Sequence, residues 1–193
     1  EDPMTDVPVE VTAKTTRSSG SAFAERGLTT ETRELVDELQ ALYRADGIPW
    51  VVGYSGGKDS TATLQVVWTA LVGLAESERT KPVYVITNDT LVENPAVSAW
   101  VHRSHEAMRS AAAAQRVPVS THILSPETTE TFWVNLIGRG YPSPNRRFRW
   151  CTERMKINPT SRFIRSVVRE NGEAILMLGA RRAESASRAA RID

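Results

Sequence analysis

Apolar residues recur at two different spacings along the chain, and the two spacings alternate from about residue 29 onward. Some segments place an apolar residue every three or four positions, as one face of an amphipathic helix does. They predict helices over residues 30–45, 59–75, 95–115 and 159–170, with a short helix over 130–136. Short apolar runs lie between them and predict buried strands over residues 50–54, 83–87, 118–124 and 174–178.

This alternation predicts an α/β fold. Strands that follow one another through a helix run parallel, because only a long crossover connection returns the chain to the same edge. The expected architecture is a parallel twisted sheet with helices on both faces. Ligands bind such sheets at the carboxyl ends of the strands. The residues that follow each strand are therefore the first candidates for a functional site.

Composition divides the chain into an arm and one domain. The 193 residues are 40% hydrophobic, which suits a single core, and the periodic pattern assigns it to residues 28–193. Residues 1–27 are rich in Thr, Ser and charge, so we expect a mobile N-terminal arm. The residues before Met4 look like the remnant of a tag.

Charge is nearly balanced, at +1, but residues 139–156 carry a local excess of bases and are called the basic loop below. The only acid in this segment is Glu153. Its six basic residues are Arg139, Arg146, Arg147, Arg149, Arg154 and Lys156. Such a patch attracts polyanions even on a near-neutral protein, although an ordinary solvated loop has the same composition.

Cysteine usage and hydropathy predict the compartment. The one cysteine, Cys151, excludes a disulfide within the chain, which fits a reducing cytosol. No apolar run approaches the roughly 18–20 residues of a membrane span, and no signal peptide is visible. We therefore expect a cytoplasmic protein without a membrane partner.

The sequence Ser-Gly-Gly-Lys-Asp-Ser at residues 55–60, called the 55–60 loop below, follows the first predicted strand and opens a helix. Glycines let a backbone approach an anion and take positive φ, and the helix N-terminus points free amides at it. Hydroxyls and a lysine add further donors. The candidate phosphate ligands are Ser55, Gly56, Gly57, Lys58 and Ser60.

The 55–60 loop is not the P-loop of ATPases. The pattern G-x-x-x-x-G-K-[ST] would require glycine at Val52 and Ser or Thr at Asp59. The loop instead resembles the S-G-G-x-D-[ST] PP-loop of the ATP pyrophosphatases. That resemblance implies a grip on the β,γ-pyrophosphate of ATP, with the α-phosphate left open to attack. It also implies a Mg²⁺ ion, for which Asp59 is the candidate ligand.

Two further strand ends resemble the phosphoadenylylsulfate (PAPS) reductase type of PP-loop enzyme. Asp89 and Thr90 follow the second strand, where a similar Asp-Thr stands beside the nucleotide in that family; an Asx turn that caps the loop is the other interpretation, and both can hold. The segment from Gly179 resembles the family pattern G-x-R-x-x-E-S…R. It implies close approach at Gly179, a phosphate contact from Arg181, an orienting role for Glu184, and Arg188 at the last position. Lys58, Asp59 and Arg181 are the implied catalytic residues.

Five stretches together resemble the DndC and SspD proteins of DNA phosphorothioation. They are VVGYSGGKDST, DTLVENP, FWVNLIGRGYPSP, FRWCTERMKI and LGARRAES, within residues 48–193. The resemblance implies cleavage of ATP to AMP and pyrophosphate, to adenylate a DNA backbone phosphate before sulfur replaces one of its oxygens. Implied partners are DNA and other proteins of the system, including a cysteine desulfurase.

The same resemblance implies a four-iron iron–sulfur cluster on four cysteines, of which Cys151 matches the first. Since the chain has no other cysteine, we expect a C-terminally truncated domain that lacks the remaining cluster ligands. A lone cysteine also serves as a small buried hydrophobe. His102 and His105, three residues apart on the third helix, are a weaker metal candidate.

Two other functions stay open. One is a PP-loop enzyme acting on a small molecule, such as a PAPS reductase or a sulfate adenylyltransferase subunit. The other is a non-catalytic nucleotide-sensing or scaffold subunit, against which the intact Lys58, Asp59 and Arg181 argue.

Overall fold

The structure is a computed structural model, which describes residues 27–145 and 147–180. The longer helices are α1 (Leu28–Ala45), α2 (Lys58–Gly73), α3 (Pro95–Gln115) and α5 (Asn158–Asn171), and α4 (Trp150–Thr152) is a single turn. The strands are β1 (Trp50–Gly53), β2 (Val83–Asn88), β3 (Val119–Leu124) and β4 (Ile175–Met177). The predicted mobile arm lies outside the described residues.

The four strands form one parallel sheet in the order β3-β2-β1-β4, which confirms the predicted α/β fold. The chain adds β2 and β3 on one side of β1 and then returns to place β4 on the other side. The strand order therefore reverses at β1. Ligands bind parallel sheets outside the carboxyl ends of the strands at such a switch point.

Alternating residues of the strands face two different helical layers. On one face, Trp50, Val52 and Val85 belong to a buried core that also includes side chains of α1, α2 and α3. On the other face, Tyr84 of β2 packs edge-on against Phe163 of α5, with ring centroids 5.7 Å apart. Helices thus cover both faces of the sheet, as the pattern predicts.

The segment before α5 differs from the prediction. The helix predicted to begin at Pro159 is preceded by α4 and by a π-helical turn, Glu153–Ile157, so that helical structure is continuous from Trp150. Pro159 has no N–H to bond the carbonyl four residues earlier, and a wider turn tolerates that loss. The short helix predicted over residues 130–136 is a 3₁₀ turn, Thr128–Glu130, followed by another π-helical turn, Val134–Gly138.

No helix in the described ranges combines the length and the apolar character that a membrane crossing requires.

Candidate nucleotide-binding site

A cleft of about 660 Å³ opens at the carboxyl ends of the four strands. Its floor and walls combine strand ends with the first turns of α2, α3 and α5. The lining residues include Tyr54, Ser55, Ser60, Thr87, Asn88, Asp89, Glu93, Val97, Val101, His102, Lys156, Thr160 and Gly179. The cleft therefore lies where ligands bind parallel sheets, at the carboxyl ends of the strands. Some of its lining residues are more than 120 positions apart in the sequence.

The 55–60 loop joins β1 to α2 at this cleft. Gly56 has φ +73°, the left-handed conformation that glycine adopts without strain, as predicted. Gly57 departs from the prediction, because it is extended, with φ −81°, and is the N-cap of α2. Gly57 offers no side chain to cap the helix, so in the described chain no side chain takes up the first amides of α2. This uncapped N-terminus fits the phosphate group that the loop is predicted to hold.

Ser60 shapes the 55–60 loop from inside. Its hydroxyl donates to the Gly57 carbonyl at 2.9 Å and accepts the Ser55 N–H at 3.1 Å. The Ser55 hydroxyl lies 3.1 Å from the Ser60 hydroxyl, and because Ser60 has only one proton, Ser55 is the donor between them. Its proton is directed to the Gly57 carbonyl, and the hydroxyl holds the Ser55 amide; the predicted donation from Ser60 to phosphate remains a prediction.

Replacing Ser60 with alanine is therefore expected to loosen the loop as well as to weaken its ligand. The Ser55 N–H and the Gly57 carbonyl each lose a partner, at a cost of about 1–3 kcal/mol. We expect pyrophosphate to bind roughly tenfold more weakly in isothermal titration calorimetry.

Thr61→Ala is the matched control for Ser60→Ala. The Thr61 hydroxyl also donates to the Gly57 carbonyl, at 2.9 Å, but it makes no bond to Ser55. The control should bind pyrophosphate within about threefold of the parent protein. Equal weakening in both variants would show that the Ser60–Ser55 contact does not organise the site.

Lys58 and Asp59 occupy the first turn of α2 but are not among the residues that line the cleft. Lys58 is exposed, and Asp59 is partly exposed. Lys58 thus brings a positive charge to the surface at the end of the 55–60 loop where α2 begins. The catalytic roles of both residues and the Mg²⁺ role of Asp59 remain predictions.

Asp89 forms the Asx turn that sequence analysis weighed as an alternative. Its carboxylate accepts the N–H of Leu91 at 2.9 Å, and Leu91 takes the left-handed conformation with φ +61°. Asp89 forms this turn and also lines the cleft. Thr90 is buried and donates to Glu93 at 2.9 Å, and so its predicted nucleotide contact would have to compete with that hydrogen bond.

Gly179 follows β4 and packs against the first turn of α2. A Cβ atom at Gly179 would lie 2.6 Å from Thr63 Oγ1 and 2.8 Å from the Asp59 carbonyl oxygen. Gly179 is thus in close contact with the helix that carries the 55–60 loop, and its approach to a nucleotide remains a prediction. The other predicted residues of this segment, Arg181, Glu184 and Arg188, lie outside the described residues.

Cys151 is partly exposed on α4 and is not among the residues lining the cleft. In the described part of the chain, no group of three or more His, Cys, Asp or Glu side chains is arranged to hold a metal. A cluster that needs four thiolates does not fit the residues of this chain, which has one cysteine.

The two histidines of α3 have separate environments rather than a shared metal site. His102 is exposed and lines the cleft. His105 is fully buried, and burial lowers its pKa to about 4, so its ring is neutral at pH 7. Thr87 donates to the Tyr54 carbonyl at 2.6 Å and therefore accepts from His105 Nε2 at 2.8 Å. This chain of bonds ties α3 to the end of β1, directly before the 55–60 loop.

The basic loop is only partly available to a ligand. Arg154 donates to the Tyr141 hydroxyl at 2.9 Å and pairs with Glu130 at 3.9 Å, and Arg139 donates to Asn135 at 3.3 Å. Trp150 is buried against Phe132, with its indole N–H on the Pro142 carbonyl. The exposed bases are Arg139, Arg147, Arg149 and Lys156, of which Arg139 donates to Asn135, and Arg146 lies outside the described residues.

Glu93 and Thr160 line the cleft but were not predicted from the sequence, because neither directly follows a strand. His102 and Lys156, which were predicted only as a metal candidate and as part of the basic loop, also line it. Glu93 lies four residues after Asp89, in the loop before α3. Its closeness in sequence to Asp89 could have indicated it, because Mg²⁺ at a phosphate site is commonly bound by one or two carboxylates.

A parallel sheet with a glycine-containing anion loop at its switch point defines an α/β nucleotide-binding domain. Comparison with known families gives its membership: the phosphoadenosine phosphosulfate reductase domain matches residues 49–191, which include the 55–60 loop and all four strands. The chain belongs to this family, and it is a PP-loop domain of a nucleotide-utilising enzyme. No curated protein matches the chain.

Proposed function

We propose that this domain cleaves ATP to AMP and pyrophosphate and thereby adenylates a DNA backbone phosphate in preparation for sulfur incorporation. The observation that supports the proposal most directly is the uncapped N-terminus of α2 beside the 660 Å³ cleft. The adjoining loop has the PP-loop pattern, and its residues Ser55 and Ser60 line the cleft.

In this mechanism the 55–60 loop holds the β,γ-pyrophosphate by its backbone amides. Ser60 keeps the Ser55 amide in place, and Lys58 supplies positive charge. Mg²⁺ would neutralise the phosphates further, with Asp59, Asp89 and Glu93 as the candidate carboxylate ligands. A non-bridging oxygen of the acceptor then attacks the α-phosphorus. A new P–O–P bond joins AMP to the acceptor, the α–β bridging bond breaks, and pyrophosphate leaves.

The basic loop supports DNA as the acceptor. Arg147 and Arg149 are exposed, and Phe148 between them is 43% exposed. Arginines neutralise backbone phosphates, and an aromatic face stacks on exposed bases. Lys156 connects this segment with the cleft, which it lines. Under this proposal the other phosphorothioation proteins, including a cysteine desulfurase, supply the sulfur to the activated phosphate.

A small-molecule acceptor is the second candidate. It is favoured by the internal use of Arg139, Arg154 and Trp150, which reduces the surface left for a polymer. A small acceptor would need only the cleft itself. The two candidates share the cleavage of ATP and differ in whether DNA stimulates it.

The product of ATP cleavage tests the proposal. We expect AMP and pyrophosphate, dependence on Mg²⁺, and stimulation by DNA. An analogue with a methylene group between the α- and β-phosphorus should resist cleavage. A β,γ-imido analogue should still yield AMP, because its α–β bridging oxygen is intact. ADP as the main product would overturn the proposal, while AMP formation without any DNA effect would favour the small-molecule acceptor.

A further inference from the structure

Trp100 lies against the 55–60 loop from the side of α3. A Cβ atom at Gly56 would stand 3.4 Å from Trp100 Cδ1 and 3.5 Å from Nε1. The N–H edge of the indole is therefore the part of the ring nearest to the loop. Trp100 is nevertheless 54% exposed, so contact with the loop does not bury its ring.

The indole N–H of Trp100 has no acceptor within the described residues. Two other tryptophans have an acceptor for this group: Trp68 donates to Gln115 at 2.8 Å, and Trp150 donates to the Pro142 carbonyl at 3.0 Å, whereas the indole N–H of Trp50 is buried without a partner. Tyr and Trp side chains, which combine an apolar ring with one polar donor, are enriched at interfaces. An exposed donor beside an anion loop is suited to an anionic ligand.

The position of Trp100 on α3 strengthens this interpretation. Its neighbour Val101 lines the cleft, as does Val97 one turn earlier. The same surface of α3 therefore continues from the cleft to the 55–60 loop. His105, one turn further along, fixes α3 to the end of β1 through Thr87, which keeps the helix at a constant distance from the loop.

We propose that Trp100 is a substrate-binding residue whose indole N–H donates a hydrogen bond to a phosphate oxygen held by the 55–60 loop. This inference rests on the proposed function, because it requires a pyrophosphate group at the loop. A neutral donor on a rigid ring adds specificity for an oxyanion without adding charge to a site that already contains Lys58. It also places an aromatic wall beside the phosphate and limits the access of water.

Trp100→Phe tests this contact, since it retains an aromatic ring and removes the donor. With inorganic pyrophosphate as the probe, isothermal titration calorimetry should show binding weakened about ten- to a hundredfold, the range for a hydrogen bond to a charged group. Thermal unfolding should be unchanged, because the residue is exposed. Pyrophosphate should also alter the tryptophan fluorescence of the parent protein, and this change should disappear in Trp100→Phe.

Trp133→Phe is the matched control. Trp133 is similarly exposed, at 58%, and packs against Phe132 rather than the 55–60 loop. It should retain both the affinity for pyrophosphate and the fluorescence change. Equal pyrophosphate affinity in Trp100→Phe and the parent protein would overturn the inference and leave the proposed function standing. Failure of the parent protein to bind either pyrophosphate or ATP would instead count against the proposed function itself.

Discussion

Gly179→Ala is expected to reduce ATP turnover on the order of a hundredfold, the scale of loss that follows a 1 Å misplacement of reacting groups. The new methyl group would lie 2.8 Å from the carbonyl oxygen of Asp59 and 3.0 Å from its carbonyl carbon. These are backbone atoms of the first turn of α2, and they cannot rotate away as a side chain does. The turn that carries the phosphate-binding amides must therefore move relative to β4.

The same substitution should cost about 1–3 kcal/mol of folding free energy, as overpacking of a close contact does. Chemical denaturation measures this loss, and AMP formation measures the turnover. The companion variant Gly179→Ala/Thr63→Ala removes the Thr63 hydroxyl at 2.6 Å but leaves the backbone contact. It should recover only part of the stability and little of the activity.

Gly47→Ala is the control for Gly179→Ala. Gly47 lies between α1 and β1, has no atom within 4 Å of the position of its Cβ, and does not require positive φ. Its substitution should change stability by less than about 0.5 kcal/mol and leave turnover intact. Full activity in Gly179→Ala would show that the contact between β4 and α2 does not position the 55–60 loop.

The sheet and the location of its cleft were predictable because burial on both faces makes the strands continuously apolar. Val83, Val85 and Ile86 of β2 are buried, and such runs are recognisable without knowing what packs on them. Once the strands are parallel, their carboxyl ends meet at one edge, so that Ser55, Asp89 and Gly179 converge. The polar residues after each strand therefore indicated the cleft before any side chain was located.

The direction of individual side chains was not predictable in the same way. Ser60 has the residue type of a phosphate ligand, yet its proton is used by the Gly57 carbonyl. Trp150 and Arg154 are residue types that are common on nucleic-acid-binding surfaces. In the structure Trp150 stacks on Phe132, and Arg154 contacts Tyr141 and Glu130. These partners are too distant in the sequence for a local pattern to predict them. The π-helical turn before Pro159 is likewise a compromise between tertiary packing and a missing N–H.

Trp100 is a residue whose exposure could not be predicted from the sequence. A tryptophan at helical spacing among apolar residues is normally core, and the sequence around it, with Val97 and Val101, fits that expectation. In the structure it is half exposed and lies beside Gly56 of the 55–60 loop. Only the three-dimensional position of Gly56 identifies it as a candidate ligand contact.

If the basic loop binds DNA, then Arg147→Ala/Arg149→Ala should flatten the salt dependence of DNA binding by about one to two units of log–log slope. Each phosphate contact releases condensed counterions and contributes a slope of about −0.7 on single strands and −0.9 on duplex DNA. Both arginines are exposed and form no ion pair or hydrogen bond through their side chains within the described residues. Their charge is therefore available to a polyanion.

The measurement is fluorescence anisotropy of a labelled oligonucleotide, single-stranded and duplex, over about 50–200 mM NaCl, the range in which phosphate contacts dominate. Affinity at about 0.1 M salt should fall roughly 30-fold in the double variant, as two lost phosphate contacts imply. Affinity for ATP should be retained, because neither arginine is among the residues that line the cleft. A loss of ATP binding would mean that these side chains serve the nucleotide instead.

Arg165→Ala/Arg169→Ala removes the same charge from the exposed side of α5 and is the control for a non-specific effect. It should leave the slope within about half a unit of the parent value, since charges away from the contact surface release no counterions. An unaltered slope in Arg147→Ala/Arg149→Ala would remove the basic loop as a DNA surface and favour the small-molecule acceptor. Equal flattening in both double variants would indicate that net charge, rather than the basic loop, controls the interaction. In either case the basic loop would not guide DNA past Lys156 toward the α-phosphate of ATP.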